Sequence, residues 1–183
     1  VGTTEAIAML KHILDICNLK SISLYIGILD VEAAYDSVPL EAVYDGLRNI
    51  KAPEHLIDIL KGLEGSRSLR VETPFGLTPP FHPILGLPQG SILSPLLWNI
   101  FYNPLLCLLQ SETEGFTLGR LWNKIKVTSV AYADDLHPVA TSLRDLQSQL
   151  DIIYGFLALH NMRMGLAKTH ILTNVSQQSA KFP

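Results

Sequence analysis

The chain has 183 residues, 48% hydrophobic and 17% charged, so it can bury a sizeable core and is too apolar for intrinsic disorder outside the polar C-terminal stretch "TNVSQQSAKFP". Its 14 basic and 17 acidic residues leave a net charge of −3, which excludes a domain that grips nucleic acid by bulk positive charge alone. Cys17 and Cys107 lie in apolar periodic segments with no partner at metal-ligand spacing and read as reduced, buried thiols of an intracellular protein.

The N-terminus lacks the basic-then-apolar pattern of a secretory leader. Residues 3–18 put Ala6, Ile7, Leu10, Ile13, Leu14 and Cys17 on one helical face, with Thr3 or Thr4 as N-cap. "SISLYIGILD" reads as a buried strand that ends at Asp30. Pro39 suits the first turn of a helix over 39–50, and Pro53 opens another that stops before Gly65. "SLRVET" and "FHPIL" form the arms of a short sheet element joined through "PFGLTPP". After the turn "GLPQGS" a long apolar helix starts near Ser94, with Ser94 as N-cap and Pro95 in the first turn. The stretch "SILSPLLWNIFYNPLLCLLQ" is interrupted by Asn99, Asn103 and Pro104, so it predicts a core helix and no membrane partner. "GFTLGRLWNK" is a loop or hairpin, "IKVTSVAYADDLHPVA" a strand pair, 142–160 an amphipathic helix and "HILTN" a closing strand. Strands and helices in this order predict an α+β domain, an antiparallel sheet with helices packed on one face, and a single domain is the simplest count.

Within that pattern Asp134 and Asp135 interrupt a run otherwise built for a buried strand. One aspartate satisfies a turn, whereas two adjacent carboxylates repel unless a positive charge such as a metal ion sits beside them. Asp30 closes an earlier strand, and if the strands are neighbours three carboxylates meet at one sheet edge. Hard divalent cations such as Mg²⁺ or Mn²⁺ favour oxygen donors, and a pair of them about 4 Å apart supports phosphoryl or nucleotidyl transfer. A strand-terminal aspartate is equally at home as a turn former or helix cap, so Asp30 alone carries no chemistry.

Three segments in order, "ILDVEAAYDSV", "GLPQGSILSPLLWNIFYNPLL" and "AYADDL", resemble the palm of reverse transcriptases, most closely those of non-LTR retrotransposons of the LINE type. The resemblance implies a polymerase palm whose fingers and thumb are largely missing, with 1–20 the end of the fingers and palm-entry helix and 175–183 a polar tail. It implies RNA-directed DNA polymerisation: transfer from a deoxynucleoside triphosphate to a primer 3′-hydroxyl on an RNA or DNA template, inside a longer polyprotein. Asp30 and Asp134 match the catalytic aspartates that ligate two metal ions, and Asp135 completes the acidic site. Tyr35 matches the aromatic residue beneath the incoming sugar, with core packing as the other reading, and Asp36 is a cap or packing residue. Gln89 and Gly90 match the turn against the nascent pair and template. Lys168, in "MGLAKTHIL", matches a lysine near the triphosphate that can donate a proton to pyrophosphate, or is a solvated strand-end lysine. His137 stands where an apolar strand residue is usual and flanks the site.

The sequence departs from the family pattern at Ala33, where lysine is common, at Ile92, where proline is common, and at Pro104, which should kink its helix. None of these touches the acidic residues. They leave a second reading of a different class, a catalytically inactive remnant palm that acts at most as a nucleic-acid-binding module.

Overall fold

The computed structural model describes residues 3–119 and 123–175 of the chain. They form two compact units, Val1–Ala34 with Pro104–Pro183, and Tyr35–Asn103. The polar tail expected at 175–183 lies, past Val175, outside the described residues.

The first unit is built on a four-stranded antiparallel sheet. Helix α1 (Thr3–Lys20) leads into strand β1 (Tyr25–Ile28); the hairpin β6 (Ser129–Tyr132) and β7 (Asp135–Ala140) follows later, and β8 (His170–Thr173) comes last. The strand order is β6-β7-β1-β8. β1 therefore lies in the interior of the sheet, and its buried Tyr25 and Ile26 suit a strand flanked on both sides. A separate antiparallel pair joins β4 (Phe116–Leu118), within "GFTLGRLWNK", to β5 (Ile125–Val127), so "IKVTSVAYADDLHPVA" supplies three strands rather than the expected pair. Two apolar clusters hold the helices to the sheet. Ile13 and Cys17 of α1 pack with Leu24, Ile26, Phe116 and Val139, while Leu146 of α6 (Leu143–Leu159) packs with Tyr25 and Ala140.

The mixed helices and antiparallel sheet match the expected class, and several local details differ. Thr3 and Thr4 lie inside the first turn of α1, and of its six-residue predicted face only Ile13 and Cys17 are buried; Ile7 is 64% exposed. Periodicity identifies the stripe, and the width of the partner surface decides how much of it is covered. Cys17 is buried as expected, with burial raising its thiol pKa, but Cys107 is exposed. Ser142 caps α6, accepting a hydrogen bond from the Asp145 amide.

In the second unit Pro39 and Pro53 are the N-cap residues of α3 (Leu40–Asn49) and α4 (Glu54–Gly65), and Gly65 ends α4 from inside. "SLRVET" and "FHPIL" meet only at a Leu69–Phe81 bridge; the strand pair itself is β2 (Glu72–Thr73) with β3 (Gly76–Leu77), whose second arm lies in "PFGLTPP", the stretch expected to be the connection. Helix α5 (Ser94–Glu112) carries the apolar stretch into a core that includes Leu97, Trp98, Phe101 and Tyr102. Pro104 lies within α5 without ending it, and the chain passes from the second unit back to the first at that residue. Among the described residues no helix is long and apolar enough to cross a membrane.

Candidate active site

Strand register brings the backbone around the acidic positions to one end of the sheet. β1 and β7 pair Tyr25 with Ala140 and Ile26 with Val139, and beyond the strand end Leu29 bridges Leu136, its amide donating to the Leu136 carbonyl at 3.1 Å. Asp30 directly follows Leu29 and Asp135 directly precedes Leu136, so the bridge brings these two positions to the same end of the sheet. Tyr132 pairs with Asp135, so Ala133 and Asp134 form the two-residue turn of the hairpin. Like charges brought close on neighbouring strands destabilise a sheet unless a cation lies between them.

Asp30 is anchored from a second direction. Residues 163–165 run antiparallel beside 30–32: Val31 bridges Met164, the Glu32 amide donates to Arg163, and the Gly165 amide donates to the Asp30 carbonyl at 2.8 Å. A Cβ on Gly165 would stand 2.5 Å from Asp30 Oδ2, so only glycine leaves that carboxylate its place. The 3-10 turn Leu166–Lys168 then brings Lys168 Nζ to 3.3 Å from Asp30 Oδ1. Asp30 is half-buried, while the Lys168 side chain is 75% exposed, so the pair is worth only about 0–1 kcal/mol. Its interest is positional: a cation already stands at the carboxylate.

Backbone strain concentrates at the same place. Among the described residues five non-glycine residues have positive φ: Ser21, Ala33, Lys51, Ala133 and Asn161. Ser21, Lys51 and Asn161 terminate α1, α3 and α6, with the following amides of Ile22, Ala52 and Met162 reaching back to Cys17, Leu47 and Leu157. That is an ordinary left-handed helix stop. Ala133 has the positive φ that the first position of a two-residue hairpin turn requires, and Ala33, with no helix to stop, lies three residues after Asp30. Left-handed alanine costs about 1–2 kcal/mol, and strain of this kind gathers where a site must hold a fixed geometry.

No group of three or more His, Cys, Asp or Glu side chains among the described residues is arranged to hold a metal ion. The donor set therefore does not form an all-protein cage. It fits the other common arrangement, in which a hard cation takes one or two carboxylates and completes its shell with substrate phosphates. His137, on β7 opposite Val130, is half-buried, and its Nδ1 has no hydrogen-bond partner among the described residues.

Tyr35, Asp36, Gln89 and Gly90 belong to the second unit. The Tyr35 ring stacks on Trp98, with centroids 5.3 Å apart and planes 20° apart, and Trp98 in turn packs on Phe101 and Tyr102. Pro88–Ser91 forms a turn closed by the Ser91 amide on the Pro88 carbonyl, and Gly90 supplies φ +86 at its third position. Ser94 is not the N-cap of α5; its hydroxyl donates to the Pro88 carbonyl at 2.6 Å and fastens the turn to the helix. Gln89 Nε2 lies 3.4 and 3.3 Å from the two Asp36 carboxylate oxygens, so Asp36 is the partner of Gln89 rather than a cap. Sequence reasoning missed Gly165 and Trp98. Gly165 stood within a quoted segment, yet its need for space depends on Asp30, 135 positions away.

The antiparallel sheet and its packed helices make an α+β fold of palm-like class, with the adjacent Asp134 and Asp135 at a hairpin tip. The family model for reverse transcriptase (RNA-dependent DNA polymerase) matches residues 3–183, and the chain belongs to that family. Over 180 residues, 98% of the chain, it is 31% identical to the "Retrovirus-related Pol polyprotein from type-1 retrotransposable element R2" of Nasonia vitripennis, of which it spans 17%. It is also 31% identical over 146 residues, 80% of the chain, to the corresponding polyprotein of type-2 element R2DM from Drosophila melanogaster, of which it spans 13%. The apo telomerase of Candida tropicalis, truncated from its C-terminal domain, has a similar fold. The TM-score is 0.71 at 17% identity, over 100% of this chain and 37% of that one. The chain thus spans less than a fifth of the length of these two polyproteins.

Proposed function

We propose that this chain is the palm of an RNA-directed DNA polymerase of a non-LTR retrotransposon, acting within a longer polypeptide as its R2 relatives are polyproteins. The observation that best supports the reading is the Leu29–Leu136 bridge, which brings the chain next to Asp30 alongside the strand that opens at Asp135, with Asp134 in the adjoining turn. The substrates are a template with its primer and deoxynucleoside triphosphates. Asp30 and Asp134, with Asp135 beside them, would hold Mg²⁺ or Mn²⁺ together with the triphosphate, and such ions would supply charge stabilisation for an in-line displacement.

The remaining steps belong to the protein. Gly165 and the Leu29–Leu136 bridge keep the Asp30 carboxylate in position, so it pays no reorganisation cost when charge develops. Tyr35, stiffened by its stack on Trp98, presents a flat ring that a ribose 2′-hydroxyl would strike. Gln89 and Gly90 bring a polar side chain and a bare backbone to the nascent pair. Lys168 leaves Asp30 for the pyrophosphate, to which its ammonium donates a proton.

Tyr35→Val is expected to lower the preference for deoxynucleotides over ribonucleotides by about tenfold or more in single-nucleotide incorporation, the scale of one lost steric clash. Unchanged sugar selectivity would make Tyr35 a packing residue. Lys168→Met removes the cation that competes for Asp30. It should tighten Mn²⁺ binding by about threefold, the scale of one exposed ion pair, while slowing incorporation. Weaker Mn²⁺ binding, followed by spin resonance, would contradict that exchange of partners. The overall test is primer extension on an RNA template by the full-length polypeptide. A folded protein that binds template but adds no nucleotide in Mg²⁺ or Mn²⁺ would favour the inactive binding module.

A further inference from the structure

Arg67 lies outside all three motif segments, just past α4, and its side chain is only 14% exposed. Its Nη1 forms an ion pair with Glu64 Oε2 at 3.2 Å, and its Nη2 donates to the carbonyls of Leu85 and Gly86 at 3.2 and 2.9 Å. The Arg67 carbonyl accepts from His82 Nδ1 at 2.8 Å. Two elements far apart in sequence are thus clamped by one residue.

The segment it grips leads directly into the Pro88–Ser91 turn. On its other side that strap is tied to the start of the first motif: the Gly86 amide donates to Val38 at 2.9 Å and the Leu87 amide to Tyr35 at 2.7 Å. Gly86, at φ +87, lies so close to Asp36 that an added Cβ would stand 2.7 Å from its carbonyl oxygen. Arg67, Asp36 and Gln89 also line one cavity of about 450 Å³. The strap is therefore pressed between Tyr35–Val38 and the guanidinium; it carries Gln89 and is hydrogen-bonded to the backbone of Tyr35.

A buried guanidinium is a costly way merely to fill space, and Arg67 Nε has no hydrogen-bond partner among the described residues. What the planar fork supplies is direction, since it reaches two carbonyls and a carboxylate at once, and charge-assisted bonds to carbonyls are the stronger kind. We propose that Arg67 is a positioning residue that, through the Leu85 and Gly86 carbonyls, sets the strap orienting Tyr35 and Gln89 and thereby governs nucleotide selection. Its consequence for nucleotides rests on the polymerase reading above; its hold on the strap does not.

The experiment compares Arg67→Met and Arg67→Lys with the parent in the full-length polypeptide. Amide hydrogen exchange over residues 84–90 is read against α3, alongside kcat and KM for single deoxy- and ribonucleotide additions. Arg67→Met is expected to speed exchange over 84–90 while α3 stays protected, and to raise the deoxynucleotide KM about tenfold, as loss of a charge-assisted bond implies. The deoxy-over-ribo preference should fall in parallel, with kcat changed by less than about threefold, and Arg67→Lys should recover part of each effect. Unchanged KM and sugar preference would overturn the proposal, whatever exchange does, by reducing Arg67 to a structural residue. If Arg67→Met unfolds throughout, Arg67→Lys is read by the same criteria. A parent that adds no nucleotide at all sinks the polymerase reading instead, and exchange alone then decides the strap: faster exchange over 84–90 supports the clamp and unchanged exchange refutes it.

Discussion

Asp134→Asn is expected to abolish nucleotide addition by the full-length polypeptide, a fall of about a thousandfold or more, without unfolding the domain. Asparagine keeps the shape of the side chain and is at home in a turn, so the hairpin pairing of Tyr132 with Asp135 should survive. What disappears is one negative charge beside another. In metal-free buffer that loss relieves repulsion between the adjacent Asp134 and Asp135, so the variant should melt no lower than the parent. Adding Mg²⁺ or Mn²⁺ should raise the Tm of the parent by mass action on the folded state and raise that of the variant much less. Normal DNA synthesis by Asp134→Asn would refute the acidic site outright. Loss of synthesis with an equal metal-induced rise in Tm would move the metal to other residues.

Gly165→Ala should cut incorporation about a hundredfold, although residue 165 carries no functional group. The backbone at 165, φ −75 and ψ 81, raises no barrier to alanine, so the effect is steric. The new methyl would lie 2.5 Å from Asp30 Oδ2, and either the carboxylate turns away or the 163–168 segment withdraws with Lys168. Both outcomes separate Asp30 from the position its register gives it, while the core of β1, β7 and α1 is untouched. The expected signature is a large fall in kcat with a small change in Tm. Wild-type turnover by Gly165→Ala would mean that Asp30 need not occupy this place.

The elements were legible because their signals are local. Apolar runs marked β1 and the β6–β7 hairpin, and Pro39 and Pro53 marked two helix starts. The acidic doublet was legible for a similar reason, since two adjacent carboxylates at a hairpin tip are electrostatically expensive whatever surrounds them. Where local logic failed, a distant partner had overridden it. Ser94 has the sequence of an N-cap, yet its hydroxyl turns to Pro88. The face of α1 is apolar over six positions, and the sheet covers only part of it. Asp36 reads as a cap and is instead held to Gln89, 53 positions later.

Composition and motif order alone therefore determined the class of fold and the family to which the chain belongs, and they singled out the acidic residues as candidates. Which residues stand behind them was decided in three dimensions. Gly165 beside Asp30, Trp98 beneath Tyr35 and Arg67 behind the strap are ordinary residues in the linear chain. Each acquires its role from a contact distance, and a one-dimensional pattern holds no record of distances between segments that only folding brings together.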